Sequence, residues 1–223
     1  MRKRGTACLF ALLLSGCVTA STDVVHFVPT PQQQALMRDG QSVIVSRAKN
    51  SIVTIRPATR AVQNGRPIFI VNIQNVSRQP LEVRLANVSA EQMVAGNTRE
   101  LKVFSYDELV QEEQQAHTGR VVVAALAAGM NSYSAGNHYW RQVNASNQNA
   151  ELAATVAATH ERNLAALEQL AIKDDTILPG ETYGGRLVIQ GPESDTALKT
   201  YNLSIAVGPD VHRIQVSQGP SVS

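Results

Sequence analysis

Two hydrophobic textures divide the chain, and the places where one gives way to the other mark its organisation. From Ser42 onward, short β-branched runs are separated by turn residues. Val43-Ile44-Val45 is followed, after Lys49-Asn50, by Ile52-Val53-Thr54-Ile55, and Ile68 to Ile73 comes after Gly65-Arg66-Pro67. Leu81, Val83 and Leu85 alternate with Glu82, Arg84 and Ala86, the period of two expected of a strand wet on one face. Leu101 and Val103 resume that period. It returns downstream in Leu187-Val188-Ile189, in Tyr201, Leu203, Ile205 and Val207, and in Val211 to Val216 beyond the turn Gly208-Pro209-Asp210. With Val24 to Val28 as a first edge strand, about nine short strands with turn signals between them predict an antiparallel sandwich.

Between Val103 and Leu187 the period lengthens to that of a helix. Ser105-Tyr106-Asp107-Glu108 has the form of a capping box, in which serine and glutamate each satisfy a backbone amide of the first turn. A helix is expected from there to Met130. Asn131 to Asn149 is rich in Asn, Ser and Gly and is expected to be a loop. A second helix is expected from about Ala150 to Lys173, with Leu152, Val156, His160, Leu164, Leu167 and Ala171 along one face. Asp174-Asp175 and Pro179 end it. Residues 105–174 thus form an inserted helical hairpin, far longer than the few residues that usually join two strands.

The N-terminus has a third texture. Arg2-Lys3-Arg4 precedes an apolar run from Ala7 to Leu14, much shorter than the ~20 residues of a spanning helix. Leu14-Ser15-Gly16-Cys17 then resembles a bacterial lipobox. That resemblance implies cleavage of residues 1–16 as a signal peptide, lipidation of Cys17 with palmitate among its acyl groups, and a membrane anchor in the cell envelope. Val18 is not the aspartate that often marks retention in the inner membrane, so the outer membrane, facing the periplasm, is the expected location. Residues 17–41, with Thr19, Ser21, Thr22, Pro29, Pro31 and Gln32-Gln33-Gln34, are expected to be a tether. The sandwich would then occupy 42–217, and 218–223 would be a frayed tail.

Cleavage changes the charge. Loss of Arg2, Lys3 and Arg4 takes the 20 basic side chains to 17, against 18 acidic ones, a balance that argues against a nucleic-acid partner. Of two cysteines, Cys8 leaves with the signal and Cys17 is consumed by lipid, so the fold is expected to stand without disulfides or a thiolate metal site.

At Leu178-Pro179-Gly180-Glu181-Thr182-Tyr183 the sequence resembles the corner that precedes a late strand in immunoglobulin-like and fibronectin-type domains, where a tyrosine hydroxyl ties back to upstream backbone. The fold class expected is therefore α+β, an antiparallel immunoglobulin-like β-sandwich with an inserted helical hairpin. From lipobox to corner, the chain resembles uncharacterised envelope lipoproteins of Gram-negative bacteria. That resemblance implies a location and a fold but no activity.

Candidate chemistry is sparse. Five histidines are scattered along the chain. Glu113 and His117 share a helix face at i, i+4, and His160 on the second helix could meet them across the hairpin. These three are weak metal candidates, since no metal-binding sequence pattern surrounds them, and packing histidines are the expected outcome. No Gly-flanked nucleophile elbow or phosphate loop is present, and Gly184-Gly185 reads as a bulge or bend. Asp174, Asp175 and Glu181 form an acidic cluster read as a solvated turn. No catalytic residue and no cofactor is assigned.

Val121 to Met130 is uncharged and apolar all the way round, which predicts burial within the domain; a surface meeting a membrane or another copy is the alternative. Tyr133, His138, Tyr139 and Trp140 then concentrate aromatics in a chain that is only 4% aromatic, a composition that fits either a recognition loop or a lid over the insert's own core. The function expected is a lipid-anchored, non-catalytic binding or structural module with Tyr133, Tyr139 and Trp140 as partner-binding residues. The partner would be an envelope protein or glycan, and the oligomeric state is left open. The alternatives are an envelope enzyme, drawing on Glu113, His117, His160 and Asp174, or self-assembly or membrane contact through 121–130.

Overall fold

The computed structural model describes residues 23–59, 66–94, 97–135, 139–193 and 198–220. The lipobox, Cys17, the start of the tether and His138 lie outside them. In the described residues twelve strands and two helices follow one another as β1 (Asp23–Val28), β2 (Gln33–Arg38), β3 (Gln41–Arg47), β4 (Ser51–Pro57), β5 (Ile68–Asn75), β6 (Leu81–Val94), β7 (Asn97–Leu101), β8 (Val103–Phe104), α1 (Tyr106–Ala135), α2 (Tyr139–Leu170), β9 (Asp175–Ile177), β10 (Thr182–Ile189), β11 (Lys199–Val207) and β12 (Asp210–Pro220). One sheet runs β1-β12-β11-β6-β7, with β9 also on the outer edge of the long β6. The other runs β2-β3-β4-β5-β10-β8, and all these pairings are antiparallel. The molecule is an α+β protein, an antiparallel β-sandwich carrying an inserted helical hairpin.

Alternation along the strands makes the core. Val53 and Ile55 of β4, Phe69, Val71 and Ile73 of β5, and Leu187 and Ile189 of β10 face Leu203, Ile205 and Val207 of β11 and Ile214 and Val216 of β12 in one apolar cluster. Burying each such side chain contributes roughly 1.5–3 kcal/mol, so the sandwich does not depend on its hairpin for a core. The corner tyrosine behaves as its resemblance implies. Tyr183 Oη donates to the carbonyl of Lys173 at 2.9 Å and accepts from the amide of the same residue at 2.8 Å.

Three expectations are corrected. The segment expected as a tether holds, besides the edge strand expected at Val24 to Val28, which is β1 on β12, a second strand: β2 returns on β3 through Asp39-Gly40, whose φ values of 52° and 72° make a two-residue hairpin turn. The tail is held as far as Pro220, because Gln218 is fully buried and its amide donates to Asp23. No bulge occurs at Gly184-Gly185; the register with β5 runs unbroken from Thr182 to Val188. Those glycines serve close approach instead. A Cβ on Gly185 would sit 2.8 Å from the Ile172 nitrogen and 2.9 Å from the Leu170 carbonyl oxygen, where the hairpin returns to β10.

The hairpin leaves one sheet at β8 and re-enters the other at β9. Its base is fixed by Phe104, Leu109 and Val188, with Ile68 and Leu167 packed against them, and by the Ile172 amide donating to the Arg186 carbonyl at 3.1 Å. Beyond that base each helix packs substantially only on the other.

Candidate functional site

The helical arm is the part of the molecule with chemistry left to explain. It begins at the expected capping box: the Glu108 amide donates to Ser105 Oγ at 3.2 Å, and the Ser105 amide to Glu108 Oε2 at 2.9 Å. From there α1 continues to Ala135 and α2 starts at Tyr139, so within the loop expected over 131–149 residues 131–135 and 139–149 are helical. Asparagine is a poor helix former in isolation, but here tertiary contacts override propensity. Asn131 Nδ2 donates to Asn149 Oδ1 at 3.1 Å, and Asn149 Nδ2 donates to the Ala128 carbonyl and to Ser132 Oγ, both at 3.3 Å. The two asparagines latch the helices together near their far ends.

Nearer the base, the hairpin interior holds the three metal candidates together. His160 Nδ1 lies 3.1 Å from Glu113 Oε1, and the rings of His117 and His160 stack with centroids 4.0 Å apart. Asn163 Nδ2 donates to Glu113 Oε2 at 3.1 Å, and Arg120 pairs with Oε1. Burial pushes the Glu113 carboxyl up, but hydrogen bonds from His160 and Asn163 and the Arg120 charge outweigh it and hold the group below its ordinary range. The sequence reading brought Glu113, His117 and His160 together correctly but missed Arg120 and Asn163. Both lie at helical spacing from Glu113 and His160, the one signal that could have found them.

This cluster reads as an interior ion-pair network. Both oxygens of Glu113 are engaged, and the imidazoles stack face to face. Among the described residues no group of three or more His, Cys, Asp or Glu side chains is placed to hold a metal ion. Asp174 is elsewhere, its Oδ1 accepting the Leu85 amide of β6 at 2.7 Å. Asp175 and Glu181 likewise take the amides of Thr176 and Leu178, so all three carboxylates accept backbone amides. A cleft of about 390 Å³ opens at the arm's base between Arg66, Glu112, Glu113, Leu167 and Arg186, but Arg66 and Glu112 pair across it at 2.8 Å.

The outer surface of the arm overturns the expected burial of Val121–Met130. Val121, Val122, Val123, Leu126 and Met130 are all exposed, Leu126 at 65% and Met130 at 72%. A helix apolar all round needs partners on every side, and over this stretch α1 faces one, α2, across the side bearing His117, Val121, Ala124, Ala125 and Ala128. Past this stretch Tyr133, Tyr139 and Trp140 stand in solvent at 92%, 70% and 74%. Tyr139 and Trp140 meet edge to face at 5.3 Å, so their contact is with each other and neither covers a core. From Val121 to Trp140 the sequence has no Asp, Glu, Lys or Arg. Among the described residues no helix is long and apolar enough to cross a membrane.

Comparisons of the chain with models of protein families, with curated proteins and with solved structures find no match.

Proposed function

We propose that this is a lipid-anchored, non-catalytic binding module of the bacterial cell envelope, in which the sandwich carries the arm and the aromatic tip engages an envelope protein. Exposure of Tyr133, Tyr139 and Trp140 at the far end of two paired helices is the observation that supports this reading. Such aromatic anchors offer large contact area at small entropic loss, and they dominate binding energy where they are buried by a partner. A surface of this kind left in water is unfavourable by itself. The anchor rests on Leu14-Ser15-Gly16-Cys17 behind a cationic, apolar leader. Confinement to a membrane surface would raise the effective concentration of any partner held there.

The two halves of the proposal separate by experiment. Palmitate labelling is expected in the wild type and absent in Cys17→Ala, and a wild-type protein that fractionates as soluble would end the lipoprotein reading. A photo-crosslinking residue at Ser134, an exposed position beside the aromatic tip, is expected to capture one envelope protein in intact cells. Joint replacement of Tyr139 and Trp140 by alanine should abolish that capture without moving the thermal transition. Adducts to glycan alone, or capture indifferent to the double substitution, would overturn the tip as a protein-binding site.

A further inference from the structure

The second surface of the arm lies midway along α1, on the side turned away from α2. Gly119, Val122, Leu126, Gly129 and Tyr133 recur at steps of three and four, with Val123 and Met130 alongside one heptad apart. This is the spacing of a helix–helix seam. The seam facing α2 is a different one, carried by Glu113, His117, Ala124, Ala128 and Asn131. Hence α1 has two seams on roughly opposite sides, one occupied and one open.

The glycines make the open seam informative. Gly119 and Gly129 stand in the interior of a helix, where each costs about 1 kcal/mol relative to alanine. Apart from the adjoining backbone of α1 itself, nothing among the described residues lies within 4 Å of a Cβ placed on either. No contact within the chain therefore accounts for them, whereas on a seam they let a second helix backbone come close.

We propose that the open seam of α1 pairs with the same seam of a second copy, antiparallel about a two-fold axis near Leu126, giving a layer of four helices with both sandwiches at the outside. Charge favours a copy as the occupant. The stretch from Val121 to Met130 has no charged side chain, so placing it against itself brings no like charges together. Area fits as well. The side chains exposed on the seam itself, Val122, Val123, Leu126, Met130 and Tyr133, leave on the order of 500 Å² of apolar surface, so two copies together reach the roughly 1,000 Å² that a specific interface has to clear. Bilayer insertion fits less well, because Asn131, Ser132, Ser134, Arg141, Gln142 and Asn144 would enter hydrocarbon with the apolar run. The pairing does not depend on the tip's partner or on the anchor.

The test uses the full chain produced in cells. Leu126→Cys is expected to give a disulfide-linked homodimer on mild oxidation, and Val211→Cys, on an exposed strand position of the sandwich, is expected to give none. Light scattering of the purified wild type should report twice the mass of one chain. Leu126→Glu should halve that mass and leave the chain folded, with the thermal transition of wild type diluted to monomer, since the side chain is exposed within the chain. If Leu126→Glu lowers helicity, Leu126→Ser provides the same comparison and must also halve the mass. A monomeric wild type, a dimer that survives both substitutions, or a monomer that instead pellets with phosphatidylglycerol vesicles would overturn the proposal. Substituting Tyr139 and Trp140 should leave the dimer intact, which keeps this test distinct from that of the tip.

Discussion

Ser51 sits where the two sheets are tied together by polar groups. Its Oγ donates to Asp210 Oδ2 at 2.7 Å and therefore accepts from His212 Nε2 at 2.9 Å. With its proton on Nε2, His212 accepts through Nδ1 from Ser46 Oγ at 3.0 Å, so the imidazole is neutral. All four side chains are buried, β3 and β4 supplying the serines and β12 the other two. Ser51→Ala strands the Nε2–H of His212 and removes a donor from Asp210. A loss of about 1–3 kcal/mol is expected in urea denaturation. Burial also pushes the His212 pKa below its ordinary 6.5, against a partial upward pull from Asp210. The unfolded chain thus takes up a proton near pH 6.5 that the folded chain refuses, so this contribution to stability is complete above that pH and is lost as pH falls toward the lower, folded value. Asp210 acts in the same direction only at more acidic pH, because its carboxyl is held below the usual range despite burial by Ser51 and Asn50. Urea midpoints measured at pH 7.5 and pH 5 should differ more in the wild type than in His212→Gln. Equal differences would rule out His212 as the titrating group.

Among the elements, the strands with clean alternation and the helix start at Ser105 were legible because each is decided locally. The period of two in Leu81–Leu85 and Tyr201–Val207, and the serine–glutamate pair, need no distant partner to be read. Asp39-Gly40 carried a hairpin signal that the glutamine- and proline-rich surroundings obscured, so β2 was read as tether. The far half of the hairpin was not legible for a different reason. Asn131 and Asn149 are helical because each finds the other across the pair, and a contact eighteen residues apart leaves no periodic trace. Exposure of Val121–Met130 was equally hidden, since composition says that a helix needs partners but not whether its own chain provides them. The hairpin base yields an element-scale prediction. Gly185→Ala puts a Cβ under 3 Å from backbone atoms of Leu170 and Ile172, which cannot move aside as a side-chain tip would. A destabilisation of roughly 1–3 kcal/mol is expected, with loosening of the arm's attachment rather than of the arm's own helices. Helicity by circular dichroism should stay constant while the unfolding midpoint drops. An unchanged midpoint would mean that the return of the hairpin onto β10 is not tightly packed.

At the scale of the whole molecule, two parts of unequal stability are joined at one narrow base. The sandwich holds nearly all of the large buried side chains, among them Tyr201, Phe69, Ile44, Ile55 and Leu203. Ala145 is the one buried residue among the described side chains of α2, and the buried residue of α1, Leu109, belongs to the base. Long helices that bury so little rest on backbone propensity, an alanine-rich seam and a few polar latches. Such helices open locally at lower free energy than a strand core does. Native-state hydrogen exchange should therefore separate the two. Amides of β4, β5, β11 and β12 should exchange only through global unfolding, and those from Val121 to Asn149 should exchange sooner by sub-global opening. Because the paired form proposed above covers the open seam of α1, that early exchange should slow as protein concentration rises, and exchange in the sandwich should slow with it, since global unfolding also dissociates the pair. Leu126→Glu should remove the concentration dependence from both parts and bring the sandwich amides to the values of diluted, monomeric wild type. Uniform protection across both parts at every concentration would show that arm and sandwich unfold as one unit, and the arm would then be stabilised by something other than a second copy.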